Sequence, residues 1–122
     1  TATAADGIAL IAAGRRRQIE SEKFCDEQDD MHGNQELAKA AACYAVGYPI
    51  VEYAGQFTDV GLEDQPRLHR LWPWEVGWWK PTPNDRIREL VKAGALLIAE
   101  IDRLQRRQLA AALDACEKKG AT

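Results

Sequence analysis

Apolar residues recur at helical spacing in three stretches of the chain, and this pattern predicts a mainly helical fold. Isoleucines between Ala4 and Lys23 indicate a first helix. A charged patch after Gly14 interrupts it, and we expect fraying before that glycine. An alanine-rich stretch between Gln35 and Val46 indicates a second helix, because alanine favours helix and permits close approach between helices. Gly47 is a natural stop for that helix.

The third and longest helix is predicted to begin near Thr82. Thr82 is the expected N-cap, Pro83 suits the first helical position, and Asp85 suits a position where a carboxylate bonds back to the helix start. The helix is expected to run to about Lys118, with its more polar end, about 105–122, projecting from the core or contacting a second subunit. Its apolar stripe comprises Ile87, Leu90, Val91, Ala95, Ile98, Ile101 and Leu104.

Two polar segments separate these helices. Phe24–Asn34 is acidic and is predicted to be a loop. Tyr48–Arg70 contains several glycines and prolines and is predicted to be a long irregular excursion, with a brief extended piece at Ile50–Tyr53. We therefore expect residues 1–122 to form one helical domain. It should be a bundle of about three helices with that excursion and a Trp- and Pro-rich segment before the long C-terminal helix.

Composition and net charge argue against two classes of partner, duplex nucleic acid and membranes. The 122 residues suffice for one hydrophobic core, and a net charge of -3, from interspersed acidic and basic side chains, argues against binding to duplex nucleic acid. No apolar run approaches the roughly 20 residues that cross a bilayer, and the first residues lack a secretory pattern, so we expect a cytoplasmic protein without membrane contact. The widely spaced Cys25, Cys43 and Cys116 predict reduced thiols.

Four tryptophans fall between Trp72 and Trp79, directly before the long helix. Core packing is one explanation, since tryptophan buries a large area whatever its role. The other is a ligand site, in which an indole stacks on a base while a nearby cation meets a phosphate. The candidate ligand-binding residues are Arg17, Trp72, Trp74, Trp78, Trp79, Lys80, Arg86 and Lys92. This hypothesis needs no cofactor, and the sequence contains no phosphate loop, nucleophile elbow or HExxH motif.

A second set of candidates is acidic. Carboxylates in and after the acidic segment, together with His32, suit magnesium or manganese. This metal-site hypothesis uses Asp29, Asp30, Glu36 and Glu100. The alternative is a solvated loop whose carboxylates form salt bridges to Arg15, Arg16 or Arg17.

Charged residues on the long helix call for a separate explanation. Glu89 and Lys92 are three residues apart and are expected to form a surface pair. Lys92 and Glu100 also lie inside an apolar stretch, so each must reach the surface or meet a partner.

Several short motifs occur in a fixed order along the chain. They are RRRQI at 15–19, DD and His at 29–32, ELA at 36–38, AACYA at 41–45, WPW at 72–74, WWKP at 78–81, DR at 85–86 and LVKAGAL at 90–96. Together they resemble an uncharacterised family of small phage and prophage proteins. The resemblance covers about residues 14–104, although Gly14 stands for an expected Glu and Lys23-Phe24 for a Gly-Trp pair. It implies a location in the host cytoplasm.

The layout is also similar, more distantly, to the ryanodine-receptor repeat domain. That domain has an Arg-containing helix, an Asp-Asp turn, an aromatic-proline segment and an Asp-Arg helix start, which correspond here to Arg17–Glu22, Asp29-Asp30, Leu71–Trp74 and Asp85-Arg86. The resemblance implies a helical module that binds nucleotide-like ligands and, in a phage, an anti-defence protein that captures a host signalling molecule.

Two alternatives to capture remain open. MazG-like pyrophosphohydrolases are also small and helical, and they hold magnesium with ExxE and ExxD pairs on successive helices. Here only Glu27 and Asp30 give such a spacing, on the expected loop. The other alternative is a protein-interaction module, in which a homo-oligomer buries an apolar strip around Leu109 and Leu113.

Overall fold

The computed structural model describes residues 5–47, 51–53, 56–58, 72–82 and 84–120. Most of these residues belong to α-helices, so the predicted mainly helical fold is confirmed. The expected excursion Tyr48–Arg70 lies largely outside the described residues, as does Pro83. The helices are α1 (Gly7–Glu20), α2 (Asp26–Asp30), α3 (Glu36–Val46) and α4 (Arg86–Gly120), with a 3-10 turn at Val76–Trp78.

Two three-residue strands lie between α3 and the Trp-rich segment. They are β1 (Val51–Tyr53) and β2 (Gln56–Thr58). The strands pair antiparallel, with Val51 opposite Thr58 and Tyr53 opposite Gln56. The extended piece predicted at Ile50–Tyr53 therefore corresponds to β1, with Ile50 outside the described residues.

Helix ends follow local capping chemistry. Asp6 Oδ1 accepts a hydrogen bond from Ala9 N–H at 3.0 Å, and α1 runs without a break through Gly14 instead of fraying before it. Gly47 ends α3 as predicted, with a φ of +90° and its N–H bonded to the Cys43 carbonyl. The predicted N-cap of α4 is wrong by three residues. Asp85 Oδ1 accepts from Arg88 N–H at 3.1 Å, while the hydroxyl of Thr82 donates to the Asp85 carbonyl.

The core forms where α4 packs against α3 and α1. Its members are mostly small, and the close approach of α1 to α4 depends on two glycines. A Cβ on Gly14 would lie 2.7 Å from Val91 Cγ1, and one on Gly94 would lie 2.6 Å from Ile11 Cδ1. The buried cluster consists of Leu37, Ala40, Ala41, Tyr44, Ala93, Leu96 and Ala99.

The buried face of α4 differs from the predicted apolar stripe. Of the stripe residues, Ala95 is buried, but Ile87, Leu90, Ile101 and Leu104 are 39% to 64% exposed. Three alanines on the buried face allow the helices to approach closely, whereas these four larger aliphatic side chains turn outward. The buried face consists of Glu89, Ala93, Ala95, Leu96, Ala99, Glu100 and Arg103.

The two buried acids on this face each have an arginine partner. Glu100 binds Arg103 through two hydrogen bonds, of 2.6 and 3.0 Å, which confirms that Glu100 meets a partner. Glu89 is buried and pairs with Arg86 at 3.3 Å, so the predicted surface pair with Lys92 is wrong.

The acidic segment is not simply a loop, because it contains α2. Asp29 of α2 is buried and lies 3.5 Å from Arg15 Nη2. The predicted salt bridge between this segment and the first helix is therefore confirmed.

The last part of α4 extends past the packed region. Residues 107–120 are all exposed, including Leu109 and Leu113. Among the described helices, none has an apolar stretch long enough to cross a membrane. The three cysteines are free thiols, and burial raises the pKa of Cys43 to about 11.

Candidate functional site

A cavity of about 830 Å³ lies between α1, the segment from Glu22 to His32, the Trp-rich segment and the first turns of α4. Pockets that hold small ligands commonly measure about 300 to 1,000 Å³. The lining residues at the start of α4 extend from Asp85, directly before the helix, to Leu96, a distance of about 16 Å at 1.5 Å per residue. The cavity is thus large enough and long enough for an extended small molecule.

Aromatic side chains form one wall of the cavity. Trp72, Trp74 and Trp78 line it together with Phe24 and Tyr44. Trp78 is largely exposed, whereas Trp72 and Trp74 also pack against the core. The same segment therefore packs against the core, as one of the two predictions has it, and also lines a cavity.

Tyr44 of α3 holds the Trp-rich segment in place. Its ring centroid lies 4.8 Å from that of Trp79 and 5.8 Å from that of Trp72, and its hydroxyl accepts a hydrogen bond from Lys80 N–H at 3.0 Å. Trp72 also contacts Trp74 edge-on at 5.5 Å. These contacts fix the rings of Trp72, Trp74 and Trp79 before any ligand arrives.

Three cations line the cavity near the first turns of α4, where Glu22 and Asp85 also lie. Arg17, Arg88 and Lys92 line it, and within the described part of the chain neither arginine forms an ion pair. Lys92 Nζ donates to the Lys80 carbonyl at 2.6 Å and lies 5.4 Å from the Tyr44 ring centroid. Burial lowers the pKa of Lys92, and the like charge of Arg88 lowers it further. Binding of an anion between these side chains would offset the repulsion between their like charges.

Acidic and neutral polar groups also line the cavity. Glu22 and Asp85 are exposed, but Asp29 has only 2% of its surface exposed. Its Oδ2 atom is buried and accepts no hydrogen bond from any described residue, although Arg15 lies 3.5 Å away. Burial raises the pKa of this carboxyl, while the charge of Arg15 opposes the effect.

The structure brings together six of the eight predicted ligand-binding residues: Arg17, Trp72, Trp74, Trp78, Lys80 and Lys92 line the cavity. Trp79 and Arg86 do not line it. The Trp79 ring packs on Tyr44, and Arg86 donates to the carbonyl oxygens of Tyr44, at 3.0 Å, and Ala45. Arg86 therefore caps the end of α3 and is not directed at a ligand.

The four predicted metal ligands do not converge. Asp29 faces Arg15, Asp30 pairs with Arg106 at 2.8 Å, and Glu100 binds Arg103. Glu36 accepts from Asn34 N–H at 2.6 Å and lies 3.6 Å from His32. In the described ranges, no group of three or more histidine, cysteine, aspartate or glutamate side chains is arranged to hold a metal ion.

Sequence reasoning missed several lining residues. Arg88 could have been predicted as a site residue, because it precedes Lys92 by four residues and therefore shares its helix face. The sequence gives no reason to place Phe24 and Tyr44 at the site, since both lie far from the tryptophans along the chain. Asp29 was singled out, but as a metal ligand.

Comparison with protein-family models, curated proteins and solved structures finds no match for this chain.

Proposed function

We propose that this protein binds a nucleotide or a nucleotide-derived signalling molecule in the cavity and holds it without chemical conversion. The observation that carries the proposal is the pairing of an aromatic wall with a cluster of cations in one cavity. Capture of this kind would suit the anti-defence role that the resemblance to the ryanodine-receptor repeat domain implies for a phage protein.

The aromatic wall supports recognition of a flat ring. Base stacking on aromatic side chains contributes about 1 to 3 kcal/mol per base and tolerates different bases. Trp78 is the most accessible of the lining indoles, whereas Trp72 and Trp74 are partly buried against the core. A base is therefore expected to stack on the accessible Trp78 ring, next to two indoles whose positions are already set by core packing.

The cations support recognition of phosphate. Arg17 projects from α1, and Arg88 and Lys92 project from one face of α4, so the three approach a common region from two helices. Arginine binds phosphate with two parallel hydrogen bonds, and these charge-assisted bonds are stronger than neutral ones. The absence of ion pairs to Arg17 and Arg88 among the described residues leaves their donors open to an anion.

The test is a titration with nucleoside mono- and diphosphates, cyclic dinucleotides and ADP-ribose, followed by tryptophan fluorescence and calorimetry, with and without magnesium. We expect magnesium-independent binding and recovery of the intact ligand. Trp78→Ala should weaken binding about tenfold, in line with the energy of one stacked base. Because Trp78 is largely exposed, this variant should fold normally.

Matched arginine variants distinguish the loss of a specific phosphate contact from the loss of overall positive charge on the surface. Arg17→Ala and Arg88→Ala should each weaken binding about tenfold, as expected for a lost charge-assisted bond. Arg16→Ala and Arg107→Ala remove exposed arginines that do not line the cavity and should leave affinity unchanged. Equal losses in all four variants, or no binding of any nucleotide, would reject the proposal.

The carboxylate arrangement does not favour the pyrophosphohydrolase alternative. Each of its four required acids already has a separate cationic or backbone partner. Release of pyrophosphate that depends on magnesium would nevertheless overturn capture in favour of hydrolysis.

A further inference from the structure

An outer stripe of large aliphatic side chains runs along α4, on the side of the helix away from its buried face. Its five members are between 39% and 64% exposed. A contiguous apolar patch on a protein surface commonly marks a place where another molecule binds. The outer stripe consists of Ile87, Leu90, Leu97, Ile101 and Leu104.

The spacing of the outer stripe is that of a coiled-coil seam. Its members are three, seven, four and three residues apart, which fits a period of 3.5 residues with one position left open. The a positions are Ile87 and Ile101, and the d positions are Leu90, Leu97 and Leu104. β-Branched residues at a with leucine at d favour two parallel strands. The residue types therefore favour a second copy of α4 as the partner.

The open seam position is filled from α1. It falls at Gly94, which has no side chain of its own, and Ile11 lies over it, with Cδ1 2.6 Å from where a Cβ on this glycine would be. Ile8, one turn earlier on α1, is 83% exposed and extends the apolar surface. The outer stripe is therefore continuous from Ile87 to Leu104, over about 26 Å at 1.5 Å per residue.

The charges beside the outer stripe distinguish the two directions in which a second copy can lie. In a parallel pair, Arg86 faces Val91 of the second copy, and Glu100 faces its Gln105 in the same way. Like charges therefore do not meet. An antiparallel pair that buries the same stripe would instead place Arg86 opposite Arg107. The distribution of charge thus favours the parallel pair.

From the spacing, the residue types and the charges, we infer that the protein forms a parallel homodimer in which the two outer stripes pack together. The contact ends after Leu104, because the next two seam positions are Gln108 and Ala111. It is distinct from the strip around Leu109 and Leu113, since these leucines fall at positions b and f of the same heptad, off the seam.

Analytical ultracentrifugation over a range of protein concentrations tests the inference. We expect a dimer of twice the 13.6 kDa chain mass that dissociates on dilution. Leu97→Glu and Ile101→Glu should each raise the dissociation constant at least about 100-fold, because each brings two carboxylates together in an apolar contact. Both residues are about half exposed and neither lines the cavity, so the variants should fold normally, as circular dichroism can verify.

Leu113→Glu is the matched control. Leu113 is 57% exposed on the same helix but lies off the seam, so its substitution should leave the dimer unchanged. A dimer that Leu113→Glu weakens as much as Leu97→Glu does would overturn the inference. A chain that stays monomeric at all concentrations would also overturn it and would leave the outer stripe to a different protein partner.

Leu104→Cys tests the direction of pairing. In a parallel pair the two copies of position 104 face each other within reach of a disulfide, whereas in the antiparallel pair each would face Ile87. The background is Cys25→Ser, Cys116→Ser, because these two thiols are exposed and Cys43 is buried. Oxidation should crosslink Leu104→Cys but not Leu113→Cys. A chain that sediments as a dimer but does not crosslink through position 104 would overturn parallel pairing.

Discussion

Glu89 connects three parts of the fold through one buried carboxylate. Only 1% of its surface is exposed. Its Oε2 accepts from Thr82 N–H at 3.2 Å, and its Oε1 pairs with Arg86, which also donates to carbonyl oxygens at the end of α3. The beginning of α4, the end of α3 and the residues after the tryptophans are therefore joined at this side chain.

We predict that Glu89→Ala destabilises the protein by about 2 to 4 kcal/mol, because it leaves Arg86 and the Thr82 N–H without their acceptor. Urea unfolding followed by circular dichroism measures the change. Glu117→Ala, on the exposed end of α4, should change stability by less than about 0.5 kcal/mol. A similar small change in Glu89→Ala would show that the carboxylate is not needed for this junction.

At the scale of elements, helical periodicity predicted α3 and α4 but not which side of α4 packs. Hydropathy favours Ile101 and Leu104 as core residues, whereas Ala93 and Ala99 are buried instead. Residue type alone cannot reveal this choice, because it depends on how closely two helices approach. Buried ion pairs such as Glu100 with Arg103 make the packing face still harder to predict. A prediction based on apolar positions assigns every charged residue to the surface.

Gly94→Ala tests the close contact between α1 and α4. Alanine favours helix over glycine by about 1 kcal/mol, but the added methyl group would lie 2.6 Å from Ile11 Cδ1 and 2.8 Å from its Cγ1. Overpacking of this kind costs about 1 to 3 kcal/mol. We therefore expect a net loss of about 1 kcal/mol in thermal or urea unfolding.

Two comparisons assign that loss to the helix contact. Gly7→Ala adds a methyl group with no atom within 4 Å and should not destabilise the protein. Ile11→Val removes Cδ1, the nearest atom, so Gly94→Ala should be less harmful in that background than in the unmodified chain. Equal effects in both backgrounds would mean that Ile11 does not cause the loss.

At the scale of the whole molecule, the cavity forms only when distant segments meet. The tryptophan cluster and Lys92 could be identified from sequence because stacking and phosphate binding depend on residue type. Neighbouring residues nevertheless point in different directions, so Trp78 lines the cavity and Trp79 packs on Tyr44. The burial of Asp29 could not be predicted from the sequence either, since it depends on how α1, α2 and α4 pack together.

The projecting end of α4 gives a prediction about the whole molecule in solution. Residues 107–120 are exposed, and an isolated helix of this length is marginally stable in water. Their amide hydrogens should therefore exchange at least about 100-fold faster than those of the buried stretch from Ala93 to Arg103. Hydrogen exchange with mass spectrometry at several protein concentrations measures this difference.

Protection that increases with concentration, and is lost in a Leu109→Glu, Leu113→Glu double variant, would contradict a free helix end. It would instead indicate that a second copy of the chain covers the strip around these two leucines.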